Sequence, residues 1–454
     1  MWVDIGRLRY LGGEQFQALE ASERAIQVNP QSAAALLFRG QLVRDSQGPM
    51  VGVAWFARAV EVQPNNFPLR VEYAASLGDS GRAKDALKVL RGADGRAVSD
   101  PKGLFVQAVL AARAGDNLLA RSLLQRSDLE RSDIPAALLL SSIIDLSAGN
   151  CASAAQTLDR LYAKQPDNRR VADLYAYALS CSGRDRELVD QFAEHATSER
   201  GTPYLRTLVA RSFEALDDRV SAARFLDMAT KPVDGLRVLP GSMPPHVNVV
   251  GGAPAGLEAR DGIRSALADG QPTAALERAK AFARSYPGSS DAFGLLGDAQ
   301  YAAGNKPAAR DAYRYAVTVR RPWPLVLRLA QSEPDQTAVR SLVEQFVRNN
   351  PANGEAAAVL ADIYAREGKW AEAAQLLDHA MKLGQARVPW IVAARSVASS
   401  KLGDKQGALD YALQAHALQP LNPIAVSTLI AALPPEDMAT RHELEIKLRS
   451  LMRR

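Results

Sequence analysis

The sequence predicts an all-α protein built as an array of antiparallel helix pairs. Three observations predict it. Ala357, Leu360, Ala361 and Tyr364 recur at i, i+3, i+4 and i+7, which places them on one face of a helix. That stripe stops at Gly368, and a second one follows through Ala373, Leu377 and Ala380, so Gly354 to Gly384 reads as two helices back to back. Neither helix can bury its stripe alone, and the chain supplies neighbours: the same pattern recurs with a period of 34 residues, as between Pro30 and Pro64.

Composition agrees. The 454 residues are 47% apolar and 23% charged, ordinary values for a folded chain, and the 6% aromatic content suits alanine-rich helix packing better than a sandwich core. The net charge is +5, but acidic and basic residues alternate along the whole chain instead of clustering, so nucleic-acid binding is not expected. No stretch approaches the ~20 apolar residues that span a bilayer. The start, MWVDIGRLRY, lacks a basic segment followed by an apolar one and reads like the middle of a helix. As written the chain is cytoplasmic; with an upstream signal it is periplasmic or a lipoprotein.

Taken in order and aligned on 34 positions, the first unit has Trp2, Ile5, Gly6, Ala18, Ala25 and Pro30. The second has Leu36, Gly40, Phe56, Ala59 and Pro64, and the third Tyr73, Ala74, Leu77, Gly81, Ala86 and Leu90. A loop at 94–100 interrupts the period. The fourth unit follows with Leu104, Ala108, Gly115 and Ala120, the fifth with Leu138, Ser142, Gly149, Ala154 and Pro166. The sixth has Tyr175, Ala176, Gly183 and Phe192, with Leu188 where alanine is expected; the seventh has Val209, Ala210, Phe213 and Ala222. From Thr230 to Gly256 prolines and glycines rule out a continuous helix and predict a linker.

The array resumes with an eighth unit (Ala266, Gly270, Ala275, Pro287) and a regular ninth (Leu296, Gly297, Gly304, Ala309, Tyr313). In the tenth, RPWPLVLRLAQSEPDQ gives only a short first helix, and SLVEQFVRNNP reads as a clean second helix ending at Pro351. The eleventh is Gly354 to Gly384; the twelfth has Val392, Ser396, Gly403, Ala408 and Pro420. One more first helix, about Pro423 to Ala432, precedes a charged helix suited to cap the last unit.

These positions resemble the tetratricopeptide repeat family, whose pattern has Gly or Ala at position 8, Ala at 20 and 27, an aromatic at 24 and Pro at 32. The resemblance implies helix pairs stacked in a right-handed superhelical solenoid of about twelve repeats. It divides the chain into an N-terminal array over 1–229, a linker over 230–256, a C-terminal array over 257–433 and a capping helix over 434–454. It also implies that first helices line a concave groove that takes a peptide or helix of another protein. In this sequence the groove positions include Arg44, Arg113, Arg170, Tyr177, Arg211, Asp298, Tyr301, Asp362 and Arg366. Arginine pairs bidentately with carboxylates and tyrosine anchors interfaces; each residue also has an ordinary reading as a solvated side chain. The Lys and Asn of the family's carboxylate clamp are replaced in the first unit by Val3 and Arg7, so chaperone-tail binding is not expected.

Cys151 falls in the turn of the fifth unit and Cys181 at the end of the sixth unit's first helix, on the same rim of adjacent repeats. Either they pair in an oxidising compartment or they are two separate small thiols. None of the five histidines lies i, i+4 from another ligand-type residue, and no phosphate-binding or nucleophile-elbow motif is present. The expectation is a non-enzymatic scaffold with no cofactor and no metal, binding a protein or peptide, with a place in cell-envelope or exopolysaccharide export assembly. The alternatives are an accessory or regulatory subunit of a glycan or envelope enzyme complex, or a fragment of a longer protein with a separate catalytic domain.

Overall fold

The computed structural model describes residues 1–91, 100–166, 168–198, 201–230 and 255–453. The described residues form helices and turns without a strand. The helices run α1 (Trp2–Leu11), α2 (Gln15–Val28), α3 (Ala33–Gln47), α4 (Pro49–Val62), α5 (Phe67–Asp79), α6 (Ala83–Leu90), α7 (Pro101–Arg113), α8 (Asn117–Ser127), α9 (Pro135–Ser147), α10 (Cys151–Lys164), α11 (Arg169–Cys181), α12 (Asp185–Thr197), α13 (Pro203–Ala215) and α14 (Arg219–Thr230). They continue with α15 (Ala255–Ala268), α16 (Pro272–Ser285), α17 (Ser290–Ala302), α18 (Lys306–Val319), α19 (Trp323–Ser332), α20 (Gln336–Asn349), α21 (Gly354–Arg366), α22 (Trp370–Ala380), α23 (Pro389–Lys401), α24 (Lys405–Leu418), α25 (Pro423–Ala432) and α26 (Met438–Met452). The loop expected at 94–100 lies outside the described residues except for its last position, and the linker expected at 230–256 lies outside them from 231 to 254.

Odd and even helices pair as the repeat period requires. At the turn inside a pair, Gly81, Gly115, Gly149, Gly183, Gly304, Gly368 and Gly403 all take positive φ. That lets the next amide reach back to the helix end, as when Arg82 N donates to Leu77 O at 2.8 Å and Asn150 N to Asp145 O at 2.9 Å. In the α13–α14 turn Asp217 takes this conformation (φ 63°) in place of glycine. First helices begin on Asn or Ser caps: Asn66, Asn168, Asn353, Asn422 and Ser289 each accept from an amide of the first turn. The second helix of the tenth unit starts at Gln336, five residues before the clean run that the sequence suggests, because Asp335 caps it through Thr337 N.

Contacts group the chain into two units, each drawing on two separated segments: Met1–Val98 with Gly235–Ala352, and Ser99–Asp234 with Asn353–Arg454. In the first unit the segments are stitched by backbone. Phe16 N donates to Gly288 O at 3.1 Å, Arg321 N to Asp45 O at 3.1 Å, and Ser290 N to the buried Gln15 Oε1 at 3.1 Å. Its cores are alanine and aromatic: Ala18, Phe38 and Leu42 in one cluster, Ile263, Ala279 and Phe282 in another. In the second unit the largest core runs from Leu138 through Tyr175 and Phe192 to Phe225, with Tyr175 and Phe192 edge to face at 5.4 Å.

Candidate functional site

The residues expected to line a groove are scattered over both units, and packing sorts them. In the first unit, Arg44 on α3 is already engaged: its Nη1 donates to Glu72 Oε2 at 3.0 Å and its guanidinium lies over the Phe56 ring. Asp298 on α17 is 7% exposed. Tyr313 donates to its Oδ1 at 2.8 Å, and Arg328 Nε stands 3.2 Å from the same oxygen. Burial raises its pKa, and the Arg328 cation and the Tyr313 hydrogen bond oppose that shift. Tyr301, one turn further on, is half-buried with Lys306 over its ring.

In the second unit Arg113 is exposed at the end of α7. Arg170, at the start of α11, forms an ion pair with Glu355 at the start of α21. Tyr177 is half-buried, and the guanidinium of Arg387 stacks on its ring at 4.0 Å. Arg211 on α13 is exposed and donates through Nη2 to Ala417 O, near the end of α24, at 2.7 Å. Asp362 and Arg366 pair with each other at 2.6 Å along the outer face of α21. The structure therefore brings Arg170 into contact with Glu355 and Tyr177 with Arg387, but it leaves Arg113 and the Asp362–Arg366 pair apart from these.

Three groups near Tyr177 were not among the expected residues. Arg387 sits in the turn between α22 and α23, outside the repeat register, so position in the period could not single it out. Tyr204 occupies the first turn of α13, where burial raises its phenol pKa well above the ordinary value. Gln419 follows α24 and is 6% exposed. Other arginines prove structural: Arg70, 4% exposed, donates to Val89 O and Leu90 O, and Arg206 donates to Ala196 O, Ser198 O and Met228 O. Much of the basic composition is thus consumed in tying off helix ends, which is consistent with the absence of a basic run in the sequence.

Cys151, first residue of α10, and Cys181, last of α11, are joined through their sulfurs, with Cα atoms 5.9 Å apart. Among the described residues no group of His, Cys, Asp and Glu could hold a metal ion, and no helix is long and apolar enough to cross a membrane.

The tetratricopeptide repeat family matches this chain at residues 261–324 and 329–386. No curated protein matches the sequence. Among solved structures, the chain is similar to one in the APC/C hetero-tetramer Cut9–Hcn1, at 12% identity and TM-score 0.34, covering 95% of this chain and 96% of that one. It is also similar to PilW, described as a type IV pilus biogenesis factor, at 15% identity and TM-score 0.35, covering 50% of this chain and 90% of that one. A tetratricopeptide repeat protein from Parabacteroides merdae ATCC 43184 matches at 15% identity and TM-score 0.36, with the same coverage of 50% and 90%.

Proposed function

We propose that this chain, which belongs to the tetratricopeptide repeat proteins, docks an extended or helical segment of a partner protein along its first helices. The repeats make it a protein–protein interaction scaffold. The observation that carries the finer reading is the side-chain set left open on the first helices: Arg113 and Arg211 are exposed, and Tyr301 is half-buried on a face not used for stacking. Rigid helices hold such groups in fixed positions, so a partner segment meets preorganised cations and an aromatic anchor. No catalytic constellation accompanies them, and the activity proposed is binding.

The joined Cys151 and Cys181 support an oxidising compartment, since cytosolic thiols are kept reduced. That favours a role outside the cytoplasm, in assembling envelope or exopolysaccharide export machinery. The groove reading is tested by affinity capture with Arg113→Glu combined with Arg211→Glu, and separately with Tyr301→Ala. Loss of one or more partners bound by the unmodified chain is expected; undiminished capture of every partner by both variants would sink the reading. Counting thiols in protein from its own host tests the compartment, with none free expected.

A further inference from the structure

The second unit contains a cavity of about 650 Å³ at the N-terminal ends of its first helices. Residues from the starts of α11, α13, α21, α23 and α25 line it, among them Arg170, Tyr204, Glu355 and Trp390, together with Arg387 and Gln419. It excludes Arg113, Tyr177 and Arg211, so it is a place distinct from the groove positions. Its size lies in the range of small-ligand pockets.

The hydrogen-bonding groups of this cavity are one-sided. Asn422 caps α25 by accepting from Ile424 N at 2.9 Å and Ala425 N at 3.2 Å, which fixes its oxygen toward the helix. Its amide nitrogen must then face Gln419 and donates to Gln419 Oε1 at 2.8 Å. Gln419 is 94% buried in turn, and its Nε2 is left as a donor with no partner among the described residues. An amide nitrogen so enclosed is costly without an acceptor. Arg387 is the second open donor: its guanidinium is held flat on Tyr177, and among the described residues no carboxylate pairs with it. The Tyr204 hydroxyl is the third; no hydrogen bond engages it.

The acceptors, by contrast, are occupied. Asp173 Oδ1 accepts from Thr202 Oγ1 at 2.6 Å, and Glu355 accepts from Arg170. Burial also pushes the Asp173 carboxyl up to about 7, so the lining carries less negative charge at neutral pH than its composition suggests. The helix ends are not themselves the binding groups, because Asn168, Thr202, Asn353 and Asn422 already satisfy their amides. What remains is a donor-rich, acceptor-poor space with an unpaired guanidinium, beside the indole of Trp390 and the side chains of Leu174 and Ile424.

We propose that this cavity binds a peptide segment through a carboxylate seated between Arg387, Gln419 Nε2 and the Tyr204 hydroxyl, with an adjoining apolar side chain against Trp390. A carboxylate brings two acceptor oxygens and a negative charge, and Arg387 offers it a planar fork. The apolar wall selects a body that an isolated small anion lacks.

The test uses the full chain and two synthetic peptides, acetyl-Ala-Glu-Phe-Ala-amide and the same sequence with Gln for Glu. Binding is followed by calorimetry and by tryptophan emission. Saturable binding of the glutamate peptide is expected, weaker by about tenfold for the glutamine peptide and by about tenfold again in Arg387→Gln. Gln419→Glu, which replaces the donor by an acceptor at the same size, should lose the glutamate peptide. Trp390→Phe should keep calorimetric binding and lose the emission change. Circular dichroism and the melting temperature confirm that each variant is folded, and Arg387→Lys serves if Arg387→Gln is not. Equal affinity for the two peptides overturns the proposal, as does the absence of saturation up to about 10 mM. Tighter binding of inorganic phosphate than of the peptide also overturns it, by assigning the site to a free anion. Any of these failures leaves the groove reading standing, since its tests use residues outside the cavity.

Discussion

A methyl group at Gly297 would enter the ring of Tyr313, with Cζ 2.9 Å from the new carbon and other ring atoms nearer still. Gly40 meets Phe56 in the same way, and the separation of sixteen residues is that between positions 8 and 24 of the repeat. The recurring small residue is therefore half of a contact whose other half is the aromatic of the paired helix. Gly297→Ala should lower stability by about 1–3 kcal/mol, measured by chemical denaturation. Asp173 gives a second residue-scale expectation. Its carboxyl titrates near 7 in the folded chain against 3.8 for the unperturbed group, so between those values the folded state holds a proton that the unfolded chain has released. Stability should then fall as pH rises from about 4 to 7 and level off above. Melting temperatures of Asp173→Asn at pH 5 and pH 8 check this: the variant should gain on the unmodified protein at the higher pH. Position in the repeat made Gly297 legible from sequence. It could not reveal Gln419, whose amide orientation depends on a cap three residues away, or the burial of Asp298, which depends on Arg328 in the next repeat.

At the scale of elements, helix existence and pairing were legible because turn glycines and Asn caps mark the ends, and the apolar stripe marks the buried face. What escaped were starts set by a local hydrogen bond, such as that of α20 at Gln336. The Cys151–Cys181 link joins α10 to α11 across 30 residues of chain. Closing a loop of that length removes entropy from the unfolded state worth about 3–4 kcal/mol. Reduction, or the double change Cys151→Ala and Cys181→Ala, should lower the stability of this part of the array by up to that amount. Urea titrations with and without reductant measure it, and an unchanged transition would show that the link does not constrain the unfolded chain.

At the scale of the whole chain, the repeat period says which helices stack in sequence but nothing about contacts between repeats far apart. Gln15 and Ser290 meet across 275 residues, and no local pattern encodes that. Gly48 is a direct probe of such closure. It has φ 106°, and a Cβ there would stand 2.7 Å from Asn349 O and 2.8 Å from Asn350 Nδ2. In a strictly linear stack a substitution at residue 48 would leave α20 untouched. Here Gly48→Ala should speed amide exchange both at the start of α4 and at the end of α20, and exchange mass spectrometry distinguishes the two cases. The stability of the array is accordingly not a simple sum over sequential neighbours.

The stitching of Met1–Val98 to Gly235–Ala352 has a consequence for synthesis. As the chain leaves the ribosome at ~5–20 residues per second, α1 to α4 emerge well before α16 to α20, with α7 to α14 appearing in between. Phe16 N and the Gln15 side chain wait all that time for the acceptor and donor they will find at Gly288 and Ser290. The first repeats of this protein are thus the first to be made and among the last to be finished.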